Sequence, residues 1–174
     1  MISVSQAHNA EDFDIAARLA HGLSDWDIVA SQPHGISADD IVAIFHAGND
    51  APSLAAQFSV ANSAFLIARW DGEPAGSVAY DPFDSTTMEI HRFFVDPQFR
   101  GKGIGRALIG TALAEIDRGD RHKVILHTTP YMSSAVAIYT SFGFVPCPRF
   151  RETPEHVRHT DLFLARSISR RSRL

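Results

Sequence analysis

Residues 2–7 alternate apolar and polar side chains, the period of a short strand. Asn9, with Asp12 three residues on, has the form of a helix start. Phe13, Ala16, Ala17 and Ala20 follow at helical spacing, and Gly22 is the expected stop. Residues 31–35, Ser-Gln-Pro-His-Gly, read as a loop. Ser37 and Asp40 form a second capping pair, ahead of Ile41, Ile44 and Phe45 on one helical face; Gly48-Asn49-Asp50 ends that helix, and residues 52–61 predict one more.

From residue 63 the texture changes. Residues 64–68 are an apolar run of buried-strand type, 71–74 a turn, and 76–80 the returning strand of a hairpin. Residues 88–95 make a third strand in this series, ended at Asp96-Pro97 because proline cannot donate to a ladder. Residues 103–117 have helical period, with Leu108, Ala112, Leu113 and Ile116 inward. A strand over 123–129, a helix over 133–142 stopped by Gly143, and strands at 144–145 and 160–165 complete the series. The order predicts an α+β (mixed α/β) fold, an antiparallel meander ahead of β-α-β-α-β units.

Composition changes this picture little. The chain has 174 residues, enough for one domain and too few for two independent cores. A net charge of −4 argues against a chain that coats nucleic acid. One cysteine, Cys147, excludes an intrachain disulfide framework and fits a reducing, cytoplasmic setting. The first residues carry no basic stretch followed by an apolar one, so no secretory leader is expected, and no apolar run reaches membrane-helix length. Nine histidines raise the question of a metal, but no H-E-x-x-H or paired Cys/His spacing occurs, so none is expected.

The chemistry is concentrated in Arg100-Gly101-Lys102-Gly103-Ile104-Gly105-Arg106, between a predicted strand and a predicted helix. Glycines let backbone approach a ligand, and a helix start leaves N–H groups unpaired. With three cations beside them, these groups suit a pyrophosphate, although a ligand-free glycine turn has the same spelling. The dinucleotide fingerprint would need glycine where Arg106 stands, and the P-loop would need Ser or Thr where Gly103 stands; both fail.

At these residues the chain resembles the GNAT superfamily of acetyl-CoA-dependent N-acetyltransferases. The signature [QR]-x-x-G-x-[GA] is met by Arg100, Gly103 and Gly105, preceded by Val95-Asp96-Pro97. The run Glu89 to Val95 sits at the family's fourth-strand position, and Ala135, Tyr139, Gly143 and Phe144 match its A-x-x-x-Y-x-x-x-G-F helix. The resemblance covers roughly residues 63–165. Where many members carry Asn, seven residues before the tyrosine, this chain has Met132.

The resemblance implies a mostly antiparallel twisted sheet of six or seven strands flanked by helices and splayed between the fourth and fifth. It implies one domain over 1–166, with an acceptor side in 1–62 and a cofactor core in 63–165. Residues 167–174 would be a basic, flexible tail. Acetyl-CoA would be the co-substrate, its pyrophosphate held by Arg100, Gly101, Lys102, Gly103, Ile104, Gly105 and Arg106, mostly through backbone N–H. The pantetheine arm would lie against Phe93, Phe94 and Val95, with an amide near Phe93 polarising the acetyl carbonyl. Glu89 would be the base and Tyr139 the acid toward sulfur; the alternatives are a solvated carboxylate and a packed core tyrosine. His91 and His127 are either relays or satisfied strand histidines, and Arg92 either meets an anionic substrate or is an exposed strand arginine. The expected function is acetyl transfer to a small-molecule amine in a ternary complex. The alternatives are acetylation of a protein N-terminus or lysine, and a non-catalytic acyl-CoA-binding regulatory domain. The family also forms homodimers.

Overall fold

In the computed structural model, which describes residues 1–169, seven strands form one sheet in the order β1-β2-β3-β4-β5-β7-β6. The strands are β1 (Ile2–Gln6), β2 (Ala64–Trp70), β3 (Glu73–Pro82), β4 (Thr87–Val95), β5 (Lys123–Thr128), β6 (Val145–Pro146) and β7 (Leu162–Ser167). All neighbours are antiparallel except β4 and β5. That parallel pair is held only at Thr87–Lys123, Met88–Val124 and Glu89–Ile125. Beyond Glu89 the two strands part. The expected splay is present.

β2 is buried on both faces, so its alternation assigns residues to two cores. Leu66 and Ala68 pack with Leu108, Ile109 and Ala112 of α4 (Ile104–Ile116). Phe65 and Ile67 pack with α1 (Ala10–Ser31) and α3 (Ala51–Phe58). A smaller cluster joins Ile41 of α2 (Ala38–Phe45) to Ile36 and to Val157 in the 3-10 turn Glu155–Thr160. α5 (Ser133–Ser141) follows β5, and Tyr139 on it belongs to the α4-side core.

Several boundaries differ from expectation: β3, expected over 76–80, runs Glu73–Pro82. α1 runs through Gly22 for 22 residues. Gly22 is there for close approach, since a Cβ on it would lie 3.0 Å from Phe94 Cε1. α3 ends at Phe58 rather than 61, where the backbone leaves the helical region at Ser59. Thr160 belongs to the 3-10 turn, so the last strand starts at Leu162. The caps predicted at Asn9 and Ser37 each accept a backbone N–H three residues on, and so does Asp50, expected only as the end of the helix before it. β7 carries the sheet through Ser167, and Ile168 N–H donates to His122 C=O. The remainder of the expected tail, from residue 170, lies outside the described residues.

Candidate active site

The parting of β4 from β5 leaves one edge of β4 without a strand partner from Ile90 onward. A bulge sharpens the opening. The β3–β4 register shifts between Ser77 and Ala79, and Arg92 takes φ +50°, a left-handed conformation costly to a long side chain. Two sets of bonds hold it there. Ser77 Oγ donates to Arg92 C=O at 3.1 Å, while Arg92 Nε donates to Asn49 Oδ1 and its Nη2 to Ala47 C=O, each at 2.9 Å. The guanidinium also lies over Phe58. Arg92 is therefore neither free nor a simple surface residue; it staples the bulge to the α2–α3 connection.

Along the open edge runs a groove of about 410 Å³, lined by Phe93, Phe94, Val95, Arg100, Gly101 and Gly103–Arg106, and closed by Trp26, Tyr131 and the start of α5. Asp96 N–H is used by Ala75 C=O of β3. Amides alternate sides along a strand, so the Val95 and Phe93 amides turn toward the open edge. Gly101 and Gly103 have φ +77° and +83°, and Gly103 is the residue from which α4 starts. Gly105 is needed for a different reason: a Cβ would lie 2.8 Å from Ile138 Cδ1 and 3.1 Å from Phe93 Cζ. Arg100 donates from Nε to Val95 C=O and lies over Trp26. Lys102 is the exception among the expected loop residues. Its ammonium sits over Trp70 and it does not line the groove.

Phe93, Leu23 and Met132 line both this groove and a second chamber of about 100 Å³ on the other side of the bulge. The chamber holds Glu89, His91, Tyr139 and His127, so the structure brings the sequence-predicted acid, base and relay residues to one place. Glu89 is 3% exposed, not solvated. Arg151 donates to its Oε1 at 2.7 Å, and His91 Nε2 lies 3.8 Å from the same oxygen. His91 Nε2 is 2.6 Å from Asp81 Oδ1. Burial alone would raise the Asp81 pKa; the bond and charge of His91, helped by Gln57 and Arg92, hold it below the usual carboxylate range. Tyr139 packs against Phe93 and Phe144, and its hydroxyl has no protein partner among the described residues. Burial raises its pKa, so the phenol is protonated at neutral pH.

Several residues here were not predicted. Asp27 and His46 form a buried pair at 2.9 Å, and Tyr131 donates to Asp27 at 3.2 Å while stacking on His34. His127 Nε2 is 2.9 Å from Asp161, which Arg149 and Thr153 also hold. Burial lowers the His127 pKa, against the pull of Asp161. Asp27, His46 and the pair Arg151 and Asp161 come from three separate parts of the chain, and no short spacing connects those parts. Met132 brings its side chain to the junction of groove and chamber. Among the described residues, no group of three or more His, Cys, Asp or Glu is arranged to hold a metal ion, and no helix is long and apolar enough to cross a membrane.

Residues 34–144 match the model of the acetyltransferase (GNAT) family, and the chain belongs to that family. An uncharacterized N-acetyltransferase of Methanocaldococcus jannaschii is 36% identical over 86 residues, 46% of this chain and 38% of that protein. N-acetylaspartate synthetase of Danio rerio is 36% identical over 83 residues, 47% of this chain and 29% of that protein. The chain thus spans well under half the length of these relatives. Among solved structures, the PaiA N-acetyltransferase of Thermoplasma acidophilum in complex with coenzyme A has TM-score 0.71 at 17% identity, covering 96% of this chain and 99% of that one. A GNAT acetyltransferase of Staphylococcus aureus Mu50 has TM-score 0.70 at 16% identity, covering 97% and 100%. These share the fold.

Proposed function

We propose that the protein moves an acetyl group from acetyl-CoA to a primary amine of a small molecule, by direct attack in a ternary complex. The observation that carries this is the meeting of groove and chamber at Phe93. A cofactor laid along β4 with its pyrophosphate at the start of α4 would present its thioester there, beside Glu89, His91 and Tyr139. The groove residues fit coenzyme A in kind: unpaired helix-start amides and Arg100 and Arg106 for the diphosphate, the outward Val95 and Phe93 amides for the amide-bearing arm. When bound, acetyl-CoA supplies the activated acyl carbon.

The residues then divide the proton work. Glu89 takes the proton that the acceptor ammonium must lose before it attacks, Arg151 orienting that carboxylate through its 2.7 Å bond. The Phe93 amide stabilises the oxyanion. Tyr139, neutral and without a protein partner, gives its proton to the departing thiolate. A single domain over 1–166, with residues 1–62 forming the acceptor side, accords with Asp27 and His46 standing in the chamber wall.

The test is release of coenzyme A thiol from acetyl-CoA across a panel of small amines and peptides. Turnover with small amines is expected. Tight cofactor binding with no turnover on any acceptor would replace this reading with a non-catalytic acyl-CoA-binding domain, and turnover on peptides alone would move the acceptor to protein.

A further inference from the structure

Arg151 offers the chamber more than the orientation of Glu89 uses. A guanidinium has five N–H donors and stays charged at any working pH. Among the described residues the Arg151 side chain makes one hydrogen bond, from Nη2 to Glu89 Oε1 at 2.7 Å. It lines the chamber and is 35% exposed, against 4% for the side chain of Glu89. The remaining donors can therefore meet a molecule that enters. The anchor is also held in place before anything binds. Phe150 supports one face of the guanidinium at 5.6 Å, which leaves free the edge where the donors lie. Arg149 Nη1 donates to Arg151 C=O at 3.4 Å, to Thr153 Oγ1 at 2.8 Å and to Asp161 Oδ2 at 2.7 Å, tying this stretch of chain to the approach to β7. Other charged groups of the wall are engaged elsewhere: Arg92 is tied by Asn49 and Ala47 to the bulge, and Asp27 holds His46 and Tyr131.

We propose that the acceptor is a small amino acid, whose carboxylate Arg151 receives while its amine meets Glu89. The inference rests on the acetyl-transfer reading for what happens to the amine, and adds the group that must accompany it. The reaction is otherwise unchanged: the nitrogen bonds to the acetyl carbon, the carbon–sulfur bond breaks, and the products are an N-acetylamino acid and coenzyme A thiol. The spacing of the two groups comes from the ion pair itself. Arg151 and Glu89 are in direct contact, so groups bound to each of them are close neighbours on the acceptor. The carboxylate then stands one or two carbons from the nitrogen, as in an α- or β-amino acid. A chamber of about 100 Å³ sets a similar limit on size. The planar fork of an arginine matches the two oxygens of a carboxylate. An amide offers it one neutral oxygen, and a plain amine offers none.

The experiment takes glycine, alanine, serine and β-alanine, each beside its amide and the amine that lacks the carboxyl group, with 6-aminohexanoate as the case of a distant carboxylate. Each is measured twice, by kcat/KM with acetyl-CoA and by calorimetric binding to the coenzyme A complex. At least one of the four acids should exceed its amide, its amine and 6-aminohexanoate by roughly tenfold or more in both measurements. Basicity cannot produce that order, because the amino amide is the weaker base and supplies more free nucleophile at neutral pH. Arg151→Met keeps an unbranched chain against Phe150 and removes the fork. In it the ratio of acid to amide should fall toward one. A variant that lowers acid and amide alike, with the ratio intact, would show that Arg151 only orients Glu89 and would overturn the proposal. Amides that match the acids in the wild-type protein, or no binding of any compound, overturn it without need of a variant. Selective binding of the acids with no turnover upholds the recognition and overturns acetyl transfer instead, while turnover of amines or amides alone does the reverse.

Discussion

Tyr139 shows how one side chain holds two roles that can be separated. Its ring is core, packed against Phe93 and Phe144, and its hydroxyl faces the chamber with no protein partner. Phenylalanine there removes only the hydroxyl. Tyr139→Phe should leave the melting temperature and coenzyme A affinity nearly unchanged while turnover falls by something like 10²-fold. It should also respond more steeply than wild type to thioesters with more acidic thiols, which need less protonation; equal slopes would remove Tyr139 from the mechanism. Glu89→Gln is the complementary case. Its rate loss at neutral pH should be roughly 10²–10⁴-fold and should shrink as pH approaches the pKa of the free amine, because the unprotonated nucleophile then forms without help. A deficit constant with pH would mean that Glu89 serves only to hold Arg151.

At the scale of elements, α1 forms one wall of the groove beside β4. It crosses β4 with Gly22 against the Phe94 ring, and Leu23 and Trp26 on the same stretch line the groove. Gly22→Val should therefore do more than overpack a core. The expected cost is about 1–3 kcal/mol of stability, read by denaturant unfolding, together with weaker coenzyme A binding in calorimetry as Phe94 is pushed along β4. Loss of stability with unchanged cofactor affinity would show that α1 does not set the groove. The same glycine explains where the sequence misleads. In the middle of a helical pattern it carries the signal of a stop, and only the partner across the interface reveals close approach. Most other elements were legible because their signals are local: the caps at Asn9 and Ser37, the apolar run of β2, and the turn after it, which takes only residues 71–72 of the expected 71–74. The residues of the β4 groove were legible for the same reason, since most of Arg100 to Arg106 line it and are contiguous between a strand and a helix. The chamber was not. Asp27, His46, His127, Arg151 and Asp161 come from α1, the end of α2, β5 and the stretch before β7, and they meet only once the sheet has formed. His127 could be singled out from its strand, but the partner that fixes its tautomer stands 34 residues away.

Taken as a whole, the molecule has buried acid–base pairs on the wall between its helices and its splayed sheet, and folding stability must follow their titration. His127 is held below its ordinary pKa by burial. The unfolded chain, with histidine near 6.5, then binds a proton more readily than the folded one. Stability is full above that pH and falls as pH drops from about 6.5 through the lowered folded value. Asp81 and Asp161 are also held below the ordinary carboxylate range, by His91 and by Thr153, His127 and Arg149 respectively. Their contribution is present above the unfolded value near 3.9 and lost as pH falls through the folded one. Both effects weaken the fold in acid, in successive windows. Melting temperature should thus decline first as pH falls below about 6.5 and again below about pH 4. His127→Phe separates the two, because it removes the titrating imidazole while Arg149 and Thr153 keep Asp161 paired. The upper decline should flatten in that variant and the lower one persist. An unchanged upper decline would assign it to other histidines and show that protonating His127 costs the folded state nothing.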